Sequence, residues 1–383
     1  MRKRSVPLIL FVFAFSWVGL GLLLSQQNAE EAKFQKTMEG YLDAYWKFYP
    51  TSATLAGFHK YSDRLEDLSS KNLEKRHDEL DLFGQELVAK IDRSKLGAET
   101  QIEYDILRNS LELELLRHES VVPWEYNPIY YNEILYRGVQ SLLSKEYAAL
   151  DARVKSATER IKQLPGLIKQ AKENLKTPPQ IYTEAAIQQV PGILEFYRAT
   201  VPALIESAGP EVKNRFQAEL AKAITALEDY RGFLRSQLLP KSTGNFRLGE
   251  QTHVRLLNLT GEFSIPPAEL VARAKADYNN IRNAMGLICL PYFKIMYPNI
   301  NADQLAAEKG PDQALNAVIQ GVLDKIKIEH PTRDNFFDET KACVVTIKNF
   351  LAQSQLIELP TADPAIQIMP PAERGTSWLR LQA

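Results

Sequence analysis

Between Val154 and Leu175 the apolar residues Val154, Ala157, Ile161, Leu164, Ile168, Ala171 and Leu175 fall at alternating steps of three and four. At 3.6 residues per turn this spacing draws one stripe along a helix, and such a stripe needs a second apolar surface to pack on. Lys155, Arg160, Lys162, Lys169 and Lys172 fall on the other faces and read as a solvated charge run. Pro165 interrupts the pattern and predicts a kink or a break, because it removes one backbone donor. The pattern recurs at Val212, Phe216, Leu220, Ile224, Leu227, Leu234 and Leu238, and again at Leu270, Ala274, Tyr278, Ile281, Met285 and Ile288. The last of these follows a helix-start signal of Ser264, Pro266, Pro267 and Glu269. Leu315, Ile319, Val322 and Ile326 make a further stripe, and a last helix is expected over Glu339 to Ser354. Strand-like alternation is scarce, and the proline-rich segment Leu356 to Pro371 is the main extended candidate. The chain therefore reads as an all-α, multi-helix bundle-like domain, with no low-complexity linker to divide it.

The N-terminus has a different character. A basic "MRKR" precedes an uncharged run from Val6 to Leu24. As a helix this run spans about 28 Å, close to the roughly 30 Å of a bilayer core. With the positive cluster on the cytoplasmic side, the remainder is expected outside the cytoplasm, periplasmic or extracellular. Residues 1–28 thus serve either as an uncleaved membrane anchor, spanning through residues 6–24, or as a signal peptide followed by secretion; the helical domain occupies 29–383. No cysteine follows the run, so lipoprotein anchoring is excluded. The formal net charge of -1 excludes the strong basic field of a nucleic-acid binder. Cys289 and Cys343 are too few for a disulfide scaffold or a cysteine zinc site, although an exported chain leaves their pairing open.

A complete active site is not legible in the residues. Helical zinc hydrolases use H-E-x-x-H, which sets two imidazoles one turn apart with a glutamate base between them. The histidines here are His59, His77, His118, His253 and His330, and no two are four apart. "HESVV" at His118 has the His-Glu pair, but Val122 stands where the second ligand belongs. His77 lies on the stripe Leu73, Leu80, Leu87, Ile91 and reads as a core histidine. His59 sits in a turn-prone passage between Pro50 and Gly57 on one side and Tyr61 on the other, and reads as a corner histidine held by hydrogen bonds. A site assembled from His59, His253 and nearby glutamates is the remaining possibility for catalysis by this chain.

Several stretches, in order, resemble the bacterial DUF885 family. They are "WKFYPTSATLAGFHKYSDRLEDLS" from Trp46, "RIKQLPGLIKQAKENLKTPPQIYTEAAIQQVPGILEFY" from Arg160, "NFRLGEQTHVRLL" with "SIPPAELVARA", and "IELPTADPAIQIMPPAERG". The resemblance implies a mostly helical, often exported protein similar to H-E-x-x-H zinc metallopeptidases, with peptides as substrates and zinc expected in full-length relatives. In such relatives the zinc helix follows the segment that matches Ile357 to Gly375. No position here matches its ligands, so no catalytic, metal or cofactor residue carries over. The chain is expected to be truncated before that region and catalytically incomplete alone; the alternative is a non-enzymatic, membrane-anchored helical binding or scaffold module. Loss of a downstream helical block would leave apolar faces in search of a partner.

Overall fold

A computed structural model describes residues 29–261, 265–359, 364 and 366, and among them every regular element is helical. The run 6–24 and most of the extended candidate lie outside the described residues. Among those described, no helix is long and apolar enough to cross a membrane. Contacts gather the chain into two units, one within residues 29–261 and one within 265–359.

In the first unit α1 covers residues 29–48 and α2 Pro50–Leu55. They are followed by α3 (Ser70–Lys90), α4 (Ala98–Leu116), α5 (Pro123–Tyr126), α6 (Pro128–Leu143), α7 (Leu150–Asn174), α8 (Gln180–Glu195), α9 (Val201–Leu204), α10 (Pro210–Phe233) and α11 (Glu250–Gly261). The stripe of α7 is the axis of the core: Val154, Ala157, Leu164 and Ala171 are fully buried, and Ile161 and Ile168 nearly so. It packs against α6 and α10, and α8 packs on both of those helices. Each large aliphatic side chain hidden here contributes roughly 1.5–3 kcal/mol. Proline does not break the helix: α7 runs through Pro165 without interruption. The buried stripe on both sides of Pro165 holds the two halves in register and outweighs the lost backbone bond.

A correction concerns Arg160, which is fully buried rather than part of a solvated face. Its guanidinium donates to Gly138 O at 2.7 Å, Pro50 O at 2.9 Å and Thr54 Oγ1 at 2.6 Å. Further along α7, Gln163 accepts from Leu65 N–H, Gln170 accepts from Leu68 N–H, and Asn174 donates to Leu68 O. The passage from Pro50 to Leu68 is therefore strapped to one face of α7 by side chains. Pro50 starts α2 at its first turn, and Gly57 turns the chain at φ 85°. Helices α1, α3 and α4 share a second core of Phe34, Tyr41, Leu80, Leu87, Leu107 and Leu111.

The second unit comprises α12 (Pro267–Met296), α13 (Ala302–Lys309), α14 (Pro311–Ile326) and α15 (Phe336–Ser354). Its core is small: Cys289 and Phe293 of α12 meet Val318, Ile319 and Val322 of α14. Gly286 lets α14 approach closely, since a Cβ there would lie 2.1 Å from Leu315 Cδ1. Cys289 is buried, Cys343 is exposed, and both are free thiols.

Candidate functional site

The first unit has a strained corner at Val122, and two clefts lie beside it. α4 passes into a π-helical turn, Arg117–Val121, and ends at Val122 with φ 37° and ψ 57°. A β-branched residue in this left-handed region costs about 1–3 kcal/mol and persists only where its surroundings enforce it. Enforcement comes from Pro123, which starts α5, and from the Val122 N–H bond to Arg117 O at 2.7 Å. The wide turn swings His118 inward against Trp124, with ring centroids 4.6 Å apart. Trp124 itself is buried and lines both clefts.

The first cleft has a volume of about 510 Å³. His77 and His118 line it, with the carboxylates of Glu74, Asp78, Glu125 and Glu173 and the ammonium of Lys176. Its rim is acidic on balance. The two imidazoles lie 6.4 Å apart, and His77 Nε2 is 3.7 Å from Glu119. His118 Nε2 is buried and has no hydrogen-bond partner in the protein. Burial, then the nearby Arg76 charge, then His77, hold the His118 pKa down to about 4, so the ring is neutral at pH 7. A neutral imidazole can donate from one nitrogen and accept at the other.

The second cleft, about 380 Å³, is lined by Tyr45, Tyr49, Glu66, Arg117, Tyr130 and Arg137 among others. Glu66 is buried and accepts from Thr51 N–H at 3.0 Å and Thr51 Oγ1 at 2.8 Å. Burial lifts its pKa above the ordinary carboxyl value, and burial raises the phenols of Tyr49 and Tyr130 well above theirs. Close by, Arg76 and Glu114 form a buried ion pair at 3.6 Å. Arg117 and the Tyr49 hydroxyl add bonds to the other oxygen of Glu114, at 3.2 and 3.3 Å. The Arg76 guanidinium lies over the rings of Tyr41 and Phe48, at 5.8 and 5.5 Å.

One expectation changes here, that of His77. His77 is not in the core: its side chain is 42% exposed, and Arg76 takes the inward position between Leu73 and Leu80. Both positions fit the stripe, and the hidden partner Glu114 selects the arginine. His118 has no second imidazole one turn along its own segment; its ring neighbours are Phe48, His77 and Trp124. His59 stacks on Tyr147 at 3.6 Å and bonds Ser62 Oγ through Nδ1 at 3.2 Å. His253 is exposed on α11, and His330 is exposed with Nδ1 2.8 Å from Pro331 O. The structure brings His59 and His253 into no common cluster. Among the described residues no three His, Cys, Asp or Glu side chains gather at metal-binding spacing. The pairing of His77 with His118 has no sequence signal, since two separate helices supply it.

The fold resembles that of a solved "putative lipoprotein of unknown function" from Shewanella oneidensis, with TM-score 0.70 and 20% sequence identity. The likeness covers 86% of this chain and 59% of that one, so this chain spans well under two thirds of that protein's length. No curated protein matches the sequence. The model of the bacterial protein family of unknown function DUF885 matches residues 50–379, from the strapped passage at Pro50 through both clefts and into the second unit, and the chain belongs to that family.

Proposed function

We propose that this chain is the cleft-bearing, peptide-holding portion of an exported, metallopeptidase-like protein and is catalytically incomplete by itself. The observation that carries this reading is the cleft beside Trp124. Its indole and imidazoles offer flat apolar contact, neutral His118 offers a hydrogen-bonding group at depth, and the rim carboxylates attract cationic groups. These are means of holding a polypeptide and of favouring basic side chains or a free N-terminus. The basic cluster ahead of residues 6–24 supports placement of this cleft outside the cytoplasm. The test is calorimetric titration of the full chain, in detergent, with short peptides differing only in a central Lys, Leu or Glu. The Lys peptide should bind best, and His77→Ala should weaken it by about tenfold without loss of helicity. Incubation with zinc should release no peptide fragments. Equal affinity for all three peptides, or zinc-dependent cleavage by this chain, would refute the reading.

The second reading is a non-enzymatic, membrane-anchored binding or scaffold module. The observation favouring it is the apolar surface left open on α12 and α15, where Ile288, Ile295, Val345 and Phe350 are all exposed. The coding sequence immediately downstream discriminates the two: an H-E-x-x-H helix there favours the first.

A further inference from the structure

The apolar stripe that the sequence offers on α12 faces solvent. The helix packs on α14 chiefly through Gly286, Cys289 and Phe293, with Met285 of the stripe at the edge of that contact. Over the 30 residues of α12 the exposed face follows a heptad register without a break. Val271, Tyr278, Met285 and Tyr292 occupy one core position of the heptad; Ala274, Ile281, Ile288 and Ile295 occupy the other. Met285 is half-buried, whereas Ile281, Ile288 and Ile295 are 61%, 66% and 77% exposed. A membrane surface asks for an apolar face but for no 3.5-residue register; that register is what a second helix requires.

We propose that α12 pairs in parallel with α12 of a second copy of this chain. This proposal is independent of the peptide-holding reading. The seam is self-complementary, as a two-fold interface requires. In a parallel pair the residue flanking one seam meets a flanking residue of the next heptad on the other. Asp277 and Arg282 hold these two positions, so Asp277 of each copy faces Arg282 of the other. One terminal nitrogen of Arg282 also grips Asp312 within the chain. A large apolar side chain that is more than half exposed shows on the order of 100 Å². Two such seams face to face hide on the order of 1,200 Å², the lower edge for a stable specific interface.

The test is sedimentation of the full chain in detergent, wild type beside Ile281→Glu/Ile288→Glu. A second variant, Ile288→Cys in a Cys343→Ser background, removes the exposed native thiol and reports the seam directly. The wild type is expected to dimerise, with the Glu pair raising the dissociation constant at least about a hundredfold at unchanged helicity. The Ile288→Cys variant should form an interchain disulfide under mild oxidation. A wild type that stays monomeric at every concentration overturns the proposal. So does a dimer that survives the Glu pair, and so does an Ile288→Cys thiol shielded from reagents in a monomer.

Discussion

His118 is costly to keep. Its Nε2 is buried without a partner, and leaving such an atom unsatisfied costs about 1–3 kcal/mol. Phenylalanine fills similar space beside Phe48 and Trp124 without the polar atom, so His118→Phe should stabilise the protein by about 1 kcal/mol at pH 7 in urea unfolding. The pH dependence should change with it. The folded pKa of about 4 lies below the ordinary value of 6.5, so between those values the unfolded chain binds the extra proton. Stability is therefore lost as pH falls from 6.5 toward 4, by on the order of 2 kcal/mol after solvent screening, and is retained as pH rises. The Phe variant should lack that loss; an identical acid slope in both proteins would sink the assignment. The buried pair beside it predicts a different pattern. Glu114→Gln leaves Arg76 uncompensated and should cost about 3–5 kcal/mol, whereas Arg76→Met with Glu114→Leu should cost far less. At this scale the sequence was a poor guide. Periodicity allowed either His77 or Arg76 to turn inward, and only the distant Glu114 decides between them.

Among the elements, the 3.6-residue period of α7 was legible because a single helix carries its own pattern. Whether Pro165 breaks it stays open in the sequence, since tertiary packing on both sides decides whether a helix survives a missing donor. Arg160 was misread for a related reason: a charge on a helix looks solvated until its acceptors, Gly138 O, Pro50 O and Thr54 Oγ1, are known. Burial holds its pKa down to about 10, which still leaves it charged at neutral pH. Its planar fork satisfies separate acceptors at once, and lysine cannot reproduce that geometry. Arg160→Lys should destabilise the first unit by about 2–4 kcal/mol. The loss should concentrate in the strapped passage. Amide exchange should accelerate from Thr51 to Leu68 while the interior of α10 keeps its protection. Uniform acceleration across both segments would show that Arg160 supports the core generally and does not fasten that passage.

For the molecule as a whole, core size should set an order of stability. Helices of this length owe most of their stability to a buried face. α7 and α10 bury such faces in the large core of the first unit. α12 and α14 share only the small cluster around Phe293, and α15 buries no residue among those described. The same apolar periodicity marked all of these helices in the sequence, and it could not say which stripes find a partner. Native-state hydrogen exchange should therefore rank α15 fastest, α12 and α14 next, and α7 and α10 slowest. The gap between the two units should reach about 3 kcal/mol, roughly a hundredfold in exchange rate. Pairing adds a signature, because association stabilises only what it binds. Raising protein concentration should slow exchange in α12 and leave α7 unchanged. Protection in α15 equal to that in α7 would mean that its exposed face is covered in solution, and the order of stability argued from core size would fall with it.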